Sequence, residues 1–212
     1  MVNILVTGGN GFLGSWLCNT LEGNIFALYD EEREGSILDK EKVTVIKWDV
    51  KDFDFVFKTI KENNIDFCIH LAAQTIVSEA NKDPLPTLAT NIIGTYNVLE
   101  VSRLLKTKII VASSDKAYGA QEKLPYTEET PLQGMNPYDV SKSCADLISQ
   151  AYHNIYKIPV VVTRLANIFG GGDMNLGRIV PDTCLTLVKG KIPIIRSDGT
   201  PVRQYIYVED AV

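Results

Sequence analysis

A glycine-rich turn near the N-terminus constrains the fold of this chain more than any other feature. Residues 7–14 read TGGNGFLG and lie between an apolar run, residues 3–7, and a helical pattern that extends to residue 22. Glycines permit a tight turn and a close approach of the backbone, and a helix start offers free N–H groups and a positive partial charge. The segment therefore predicts a strand, an anion-binding turn and a helix, in that order.

The second predicted strand, residues 25–30, ends in an acid at the spacing typical of a dinucleotide site. Asp30 follows the glycines by about twenty positions, where a carboxylate binds ribose hydroxyls and repels a 2′-phosphate. This favours NAD over NADP, although nearby Arg33 weakens the preference. The pyrophosphate would lie against Gly8, Gly11, Phe12, Leu13 and Gly14. The alternative is a tight turn that binds nothing.

Strand-like and helix-like segments continue to alternate as far as residue 169. The further strands are predicted at residues 43–48, 66–71, 108–112 and 159–164, and the main helices at residues 52–63, 84–105 and 137–156. Such alternation predicts a doubly wound parallel α/β sheet of the Rossmann type. Residues 170–172 are three glycines, after which a helix at 180–189 and strand-like pieces at 192–195 and 205–208 begin a second, smaller portion.

Composition excludes several classes of protein. The 212 residues carry a net charge of -5 without a basic cluster, which argues against nucleic-acid binding. The sequence has no apolar run of membrane-spanning length and no signal-peptide pattern, so we expect a cytoplasmic protein. The four cysteines are scattered without a C-x-x-C pair, which predicts reduced core or near-core thiols and no metal site.

A tyrosine and a lysine lie four residues apart in the predicted helix 137–156. Tyr138 and Lys142 share one helix face, and an ammonium group beside a phenol should lower the pKa of the phenol. Such a pair is common by chance. It gains meaning from the dinucleotide turn and from Ser114, which follows the strand 108–112 and could complete a proton-handling group. Asp49, after the third strand, is either an adenine contact or a turn cap.

The segment SSDKAYG, residues 113–119, places an acid and a base where a parallel strand ends. Asp115 and Lys116 are either a solvated ion pair or a pair in which one group gives a proton and the other takes one. Proton chemistry would require Lys116 to be neutral in the resting complex, which burial could achieve.

With these parts the chain resembles the extended short-chain dehydrogenases/reductases, and among them the nucleotide-sugar 4,6-dehydratases of the CDP-glucose 4,6-dehydratase type. The resemblance covers the whole chain. It is carried by the glycine turn and by residues 70–74 (HLAAQ), 90–95 (TNIIGT), 113–119, 138–142 and 203–210 (RQYIYVED).

The resemblance implies roles for particular residues. Ser114 and Tyr138 would contact the sugar O4, and Lys142 would hold Tyr138 and the nicotinamide ribose. The cofactor would also contact Asp49, Val50, Leu71, Ala72 and Ala73. The nucleotide-diphosphate sugar would contact Gln74, Asn167, Arg178 and Arg203, the last at the diphosphate. A homodimer built from the helices near residues 84–105 and 138–156 is also implied.

The resemblance also answers the question raised by Asp115 and Lys116. Epimerases of the group usually carry small or apolar residues after the catalytic Ser or Thr, whereas the dehydratases carry an acid–base pair, and a CDP-glucose-like subset carries Asp-Lys. That subset also shows features like residues 170–173 (GGGD) and 178–182 (RIVPD). We therefore expect Asp115 to act as the acid and Lys116 as the base of a water elimination.

Two alternatives remain open. One is a nucleotide-sugar 4-epimerase or reductase of the same superfamily, and the other is a non-catalytic dinucleotide-binding module. Members of the family continue past the motif at residues 203–210. We therefore expect residues 1–169 to form the NAD-binding domain with the catalytic residues, and residues 170–212 to be an incomplete substrate-binding portion.

Overall fold

Six parallel strands form the central sheet of the computed structural model, which describes residues 1–212. The sheet has the order β3-β2-β1-β4-β5-β6. The strands are β1 Asn3–Thr7, β2 Asn24–Tyr29, β3 Thr44–Lys47, β4 Phe67–His70, β5 Lys108–Ala112 and β6 Val160–Thr163. The order reverses between β1 and β4, which places the ligand crevice of such a sheet outside their carboxyl ends. The predicted doubly wound sheet is thus confirmed.

Helices cover both faces of this sheet. They are α1 Phe12–Thr20, α2 Phe53–Glu62, α3 Val77–Lys82, α4 Pro84–Leu88, α5 Gly94–Leu105, α6 Pro137–Tyr156, α7 Ile179–Val188 and α8 Val208–Ala211. A π-helical segment, Ala89–Ile93, joins α4 to α5, so the predicted long helix from Pro84 to Leu105 is confirmed. None of these helices is both long and apolar enough to cross a lipid bilayer.

The alternation of side chains along β1 builds two separate cores. Leu5 points to a core that includes Val56 of α2 and Leu99 of α5, and Ile4 and Val6 point to the opposite core against α1. Because strands buried on both faces read as continuous apolar runs, β1 and β2 show the pattern of a sheet covered on both sides.

Several local predictions need correction. Residues 192–195 form no strand, because no neighbouring strand pairs with them, and Ile192 and Ile194 are exposed. Asn136, a residue type that favours the position before a helix, precedes α6, but its side chain does not cap the helix. Its amide donates to Asp139 instead, at 3.2 Å. Of the cysteines, all free, Cys184 is exposed rather than near the core.

A second, two-stranded sheet lies outside the main one. Its strands, β7 Asn167–Phe169 and β8 Tyr205–Tyr207, pair in parallel. A strand was predicted from the sequence near β8, at residues 205–208, but not at β7. This pairing brings the chain near residue 205 back to the end of the β6 segment. The division of the chain at residue 169 stays a prediction.

Candidate active site

One cavity of about 680 Å³ opens at the carboxyl ends of the strands, where the sheet order reverses. All but four of the predicted site residues line it. Those in its wall are Gly8, Gly11, Phe12, Leu13, Gly14, Asp30, Asp49, Val50, Leu71, Ala72, Ala73, Gln74, Ser114, Tyr138, Lys142 and Arg178. Asp115, Lys116, Asn167 and Arg203 lie outside its wall. The fold thus brings most of the predicted residues together from widely separated segments.

The glycine turn has a shape that side chains would block. Gly8 has φ +70°, and a Cβ atom there would lie 2.9 Å from the backbone N of Ala72. A Cβ atom on Gly14 would collide with the carbonyl oxygen of Gly8. No side chain caps α1, and its first intrahelical bond runs from Ser15 N to Gly11 O. The preceding N–H groups therefore remain for an anion at the helix start.

Asn10 is a cavity residue that the sequence analysis did not assign. It is buried, and its Nδ2 atom donates to the carbonyl of Glu31 at 2.6 Å, while its Oδ1 atom has no protein partner. The side-chain amide therefore ties the glycine turn to the segment that follows β2. Asn10 occupies a position within the glycine pattern where any residue is allowed, so no sequence signal marks it.

The two acids predicted for the adenosine half lie on the cavity wall. Asp30, at the end of β2, is exposed, and its Oδ1 atom accepts only the neighbouring Glu31 N–H. Asp49 accepts the Lys51 N–H at 2.8 Å and pairs with the Lys51 ammonium at 3.3 Å. Asp49 is therefore a turn cap that also faces the cavity, and its contact with adenine stays a prediction.

A buried histidine, His70, links the ends of β1 and β4 beside the cavity. The Thr7 hydroxyl accepts the N–H groups of Leu71 and Ala72, which leaves its proton for Nδ1 of His70 at 2.7 Å. Nε2 of His70 lies 3.1 Å from the Thr95 hydroxyl, which itself donates to a carbonyl one turn earlier in its helix. Burial and the charge of a nearby lysine lower the pKa of His70 to about 3. The neutral imidazole thus links β1, β4 and α5, a role that sequence analysis cannot assign.

Tyr138 and Lys142 lie together in the cavity wall, but their electrostatics differ from the prediction. Burial raises the pKa of Tyr138, and the Ser114 hydroxyl and the Arg178 charge oppose the rise. Lys142 donates to the carbonyl of Ala112 at 2.8 Å, and burial lowers the pKa of its ammonium group to about 8. The expectation that Lys142 lowers the pKa of Tyr138 is therefore wrong for the ligand-free protein, because desolvation of the phenol dominates.

Asp115 and Lys116 begin a single 3₁₀ turn, Asp115–Tyr118, directly after Ser114. The Ser114 hydroxyl accepts the Lys116 N–H at 3.2 Å and donates to Asp115 at 3.2 Å. The Lys116 ammonium lies 3.3 Å from Asp115, and both side chains are partly exposed. The predicted acid and base thus form an ion pair adjoining the serine that lines the cavity.

The predicted substrate residues are distributed unevenly. Arg178 faces the cavity, and its Nη1 atom lies 3.4 Å from Asp173. Asn167 donates to the carbonyl of Gln204 at 3.1 Å, and Arg203 is exposed and donates to the carbonyl of Val202. Substrate roles for Asn167 and Arg203 stay predictions.

This arrangement supports proton transfer beside a dinucleotide-shaped cleft, and the comparisons with known proteins agree. The model of the NAD dependent epimerase/dehydratase family matches residues 4–212, so the chain belongs to that family. It is 29% identical to the dTDP-glucose 4,6-dehydratase of Haemophilus influenzae, over 100% of this chain and 69% of the relative. It is 31% identical to the CDP-glucose 4,6-dehydratase of Salmonella typhimurium, over 92% of this chain and 60% of the relative.

Solved structures show the same architecture. The dTDP-glucose 4,6-dehydratase of Bacillus anthracis in complex with NAD superposes with a TM-score of 0.86 at 29% identity, over 100% of this chain and 69% of that one. The UDP-glucose 4-epimerase of Thermotoga maritima with UDP-glucose gives 0.91 at 27% identity, over 99% of this chain and 71% of that one. Both dehydratases and epimerases therefore resemble this fold.

Proposed function

We propose that this chain is the NAD-binding and catalytic part of a nucleotide-sugar 4,6-dehydratase. The observation that carries the proposal is the position of Asp115 and Lys116. They form an acid–base pair on one turn beside Ser114, and Ser114 shares a cavity wall with Tyr138 and Lys142. An enzyme that only oxidises and reduces C4 has no use for this additional pair.

The cavity fits NAD. The glycine turn and the free start of α1 suit the pyrophosphate, and Asp30 suits the ribose hydroxyls. Asp30 favours NAD over NADP because a carboxylate repels a 2′-phosphate. When bound, NAD supplies the hydride chemistry: it accepts a hydride from C4 of the sugar and returns one to C6.

The first proton transfer is assigned to the tyrosine. As C4 is oxidised to a ketone, Tyr138 takes the proton from the O4 hydroxyl, and Ser114 holds that oxygen by a hydrogen bond. Lys142 stabilises the negative charge that the Tyr138 oxygen and the sugar O4 share during this transfer. The raised pKa of Tyr138 in the ligand-free protein keeps it protonated at neutral pH. Binding of the positively charged nicotinamide would favour the phenolate form.

The elimination is assigned to the pair on the turn. The C4 ketone acidifies the C5 proton, which Lys116 removes, while Asp115 protonates the departing C6 hydroxyl as water. The C5 position then regains a proton as the hydride reaches C6. The net change is therefore the loss of one water from the nucleotide sugar.

The ion pair itself can supply the required protonation states. Nζ of Lys116 lies 3.3 Å from Oδ2 of Asp115. Transfer of one proton from Lys116 to Asp115 gives a neutral amine and a neutral acid without exchange with solvent. Exclusion of water by a bound substrate would favour this neutral form.

CDP-glucose is the favoured substrate. The Asp-Lys pair, the GGGD segment and the RIVPD segment all resemble the CDP-glucose type, and the Salmonella relative carries that activity in its name. Arg178, the first residue of RIVPD, faces the cavity.

A 4-epimerase is the second candidate, and one observation favours it. Ser114, Tyr138 and Lys142 line the cavity, whereas Asp115 and Lys116 do not. In an epimerase only the first three would be needed, and the Thermotoga structure shows how closely that class shares the fold.

A homodimer is also part of the proposal. An exposed apolar stripe runs along α6 through Val140, Leu147 and Ile155, and Ile93 and Tyr96 extend it on the neighbouring long helix. Val140, Leu147 and Ile155 are spaced by seven and eight residues, about two helical turns each, so they share one face of α6. A second copy of the chain would bury it.

Product mass separates these possibilities. The protein is incubated with NAD and, in turn, with CDP-glucose, dTDP-glucose and UDP-glucose. A product lighter by one water supports the dehydratase. The rates at which this product forms from the three nucleotide sugars test the preference for CDP-glucose. A product of unchanged mass with inverted C4 configuration would replace the proposal with the epimerase.

A further inference from the structure

The turn that carries the acid–base pair is held at its far end by a residue with no assigned role, Tyr118. Its side chain is buried, and its hydroxyl lies 2.9 Å from Nη1 of Arg164. The Arg164 guanidinium also lies over the Tyr118 ring, 5.1 Å from its centroid, and the Tyr126 ring packs beside it at 4.9 Å. Tyr118 is thus fixed by both its ring and its hydroxyl.

Arg164 connects three parts of the structure through one side chain. Its Nε and Nη2 atoms donate to the two carboxylate oxygens of Asp146 at 2.7 and 3.0 Å, and Nη1 donates to the carbonyl of Glu128 at 2.8 Å. Asp146 is fully buried in α6. A two-pronged guanidinium–carboxylate contact fixes orientation as well as distance. Arg164, which directly follows β6, therefore sets the position of Tyr118 relative to α6.

Further hydrogen bonds attach the same turn to β6 and α6. Asp115 N donates to the carbonyl of Leu165 at 3.2 Å. The carbonyl of Ala117 accepts from the hydroxyl of Ser143 in α6 at 3.0 Å. Tyr138 and Lys142 lie on that helix as well. The pair that would act at C5 and C6 is therefore held in register with the pair that would act at C4.

We infer that Tyr118 and Arg164 are positioning residues for the elimination step: with Asp146 they hold the turn so that Asp115 and Lys116 face the carbons next to C4. The inference rests on the proposed function. Tyr118 does not line the cavity that contains the glycine turn. Loss of its hydroxyl should therefore loosen the acid–base turn without altering cofactor binding or C4 oxidation.

The test compares the parent protein with Tyr118→Phe, which removes only the hydroxyl. Tyr118→Leu, which removes the ring as well, is the stronger variant. Tyr152→Phe is the matched control, because its hydroxyl bonds to Glu100, outside the turn. Amide hydrogen exchange of residues 113–119 reports the order of the turn. NADH formed in a single turnover reports C4 oxidation, and deuterium incorporated at C5 from D₂O reports elimination chemistry.

For Tyr118→Phe we expect faster amide exchange in residues 113–119 and about tenfold slower C5 deuteration. A tenfold change is the scale expected for the loss of one hydrogen bond to a charged group. C4 oxidation should be unchanged, and Tyr118→Leu should lose more C5 deuteration than Tyr118→Phe. Unchanged amide exchange in both Tyr118 variants would overturn the inference, as would an equal loss of C4 oxidation and C5 deuteration. If the parent protein itself forms no dehydrated product, the proposed function fails, and amide exchange alone still decides whether Tyr118 orders the turn.

Discussion

At the residue scale, the side chains of the site are placed in two ways, by spacing along the chain and by bonds between distant segments. The glycines and Asp30 are placed by their positions within one strand–turn–helix–strand unit, and the structure puts them in one cavity. Asn10 and the bond between Thr7 and His70 join segments far apart in sequence, so no local pattern reveals them. The pKa of Tyr138 was predicted in the wrong direction, because the sequence does not show that the phenol is buried, and burial raises its pKa.

The glycine turn gives the first residue-scale prediction. Gly8→Ala forces a side chain into a left-handed backbone, a cost of about 1–2 kcal/mol, and drives Cβ against the backbone of Ala72. Gly190→Ala has a similar φ, +66° against +70°, but open space around its Cβ. We expect Gly8→Ala to weaken NAD binding more than tenfold in a calorimetric titration and Gly190→Ala to leave it unchanged. Equal affinities for the two variants would show that the turn does not approach the cofactor.

Lys142 gives a pH-dependent prediction. Its folded-state pKa is about 8 against an ordinary 10.5, so between these pH values the unfolded chain holds a proton that the folded protein lacks. The free energy of unfolding should therefore rise with pH across this window, by at most about 1.4 kcal/mol per pH unit. Urea unfolding of the parent protein and of Lys142→Met isolates this contribution. A difference between the two proteins that stays constant from pH 8 to 10.5 would contradict the burial argument.

At the scale of elements, periodicity and caps predicted the long helices and the six sheet strands. Asp52 caps α2 through the Phe55 N–H, and α6 begins at Pro137, the first residue of the helix predicted at 137–156. The three-residue strand β7 and the six-residue helix α3 are too short to show a period, and the sequence analysis missed them. The apolar residues at 192–195 resemble a strand, but a strand also needs a neighbour, which sequence alone does not supply.

The contact among β1, β4 and α5 gives a prediction at this scale. Burial holds the pKa of His70 at about 3 against an ordinary 6.5, so below pH 6.5 only the unfolded chain gains this proton. The free energy of unfolding contributed by His70 is thus complete above pH 6.5 and declines as the pH falls toward 3. The stability advantage of the parent protein over His70→Asn should shrink across this window. An advantage that does not change with pH would show that the imidazole takes up its proton in the folded state.

At the scale of the whole molecule, the family resemblance and the structure agree on architecture, and the apolar stripe on α6 predicts assembly. Leu147 is 55% exposed, and Leu187 on α7 is 59% exposed, which makes it a matched control. Sedimentation should show a dimer for the parent protein and for Leu187→Glu, and a monomer for Leu147→Glu, because a buried charge opposes an apolar interface. A Leu147→Glu variant that remains dimeric would place the interface elsewhere.

The central claim for the molecule is that oxidation at C4, in the cavity, is coupled to elimination driven by Asp115 and Lys116 on the turn beside it. The most direct test is solvent deuterium at C5, measured by mass spectrometry after reaction with CDP-glucose and NAD in D₂O. We predict one deuterium at C5 and the loss of one water for the parent protein. For Lys116→Met we predict neither change, although NADH formation persists. Full C5 deuteration by Lys116→Met would contradict the assignment of the base, and a parent product that retains its oxygen and its C5 hydrogen would contradict the dehydratase itself.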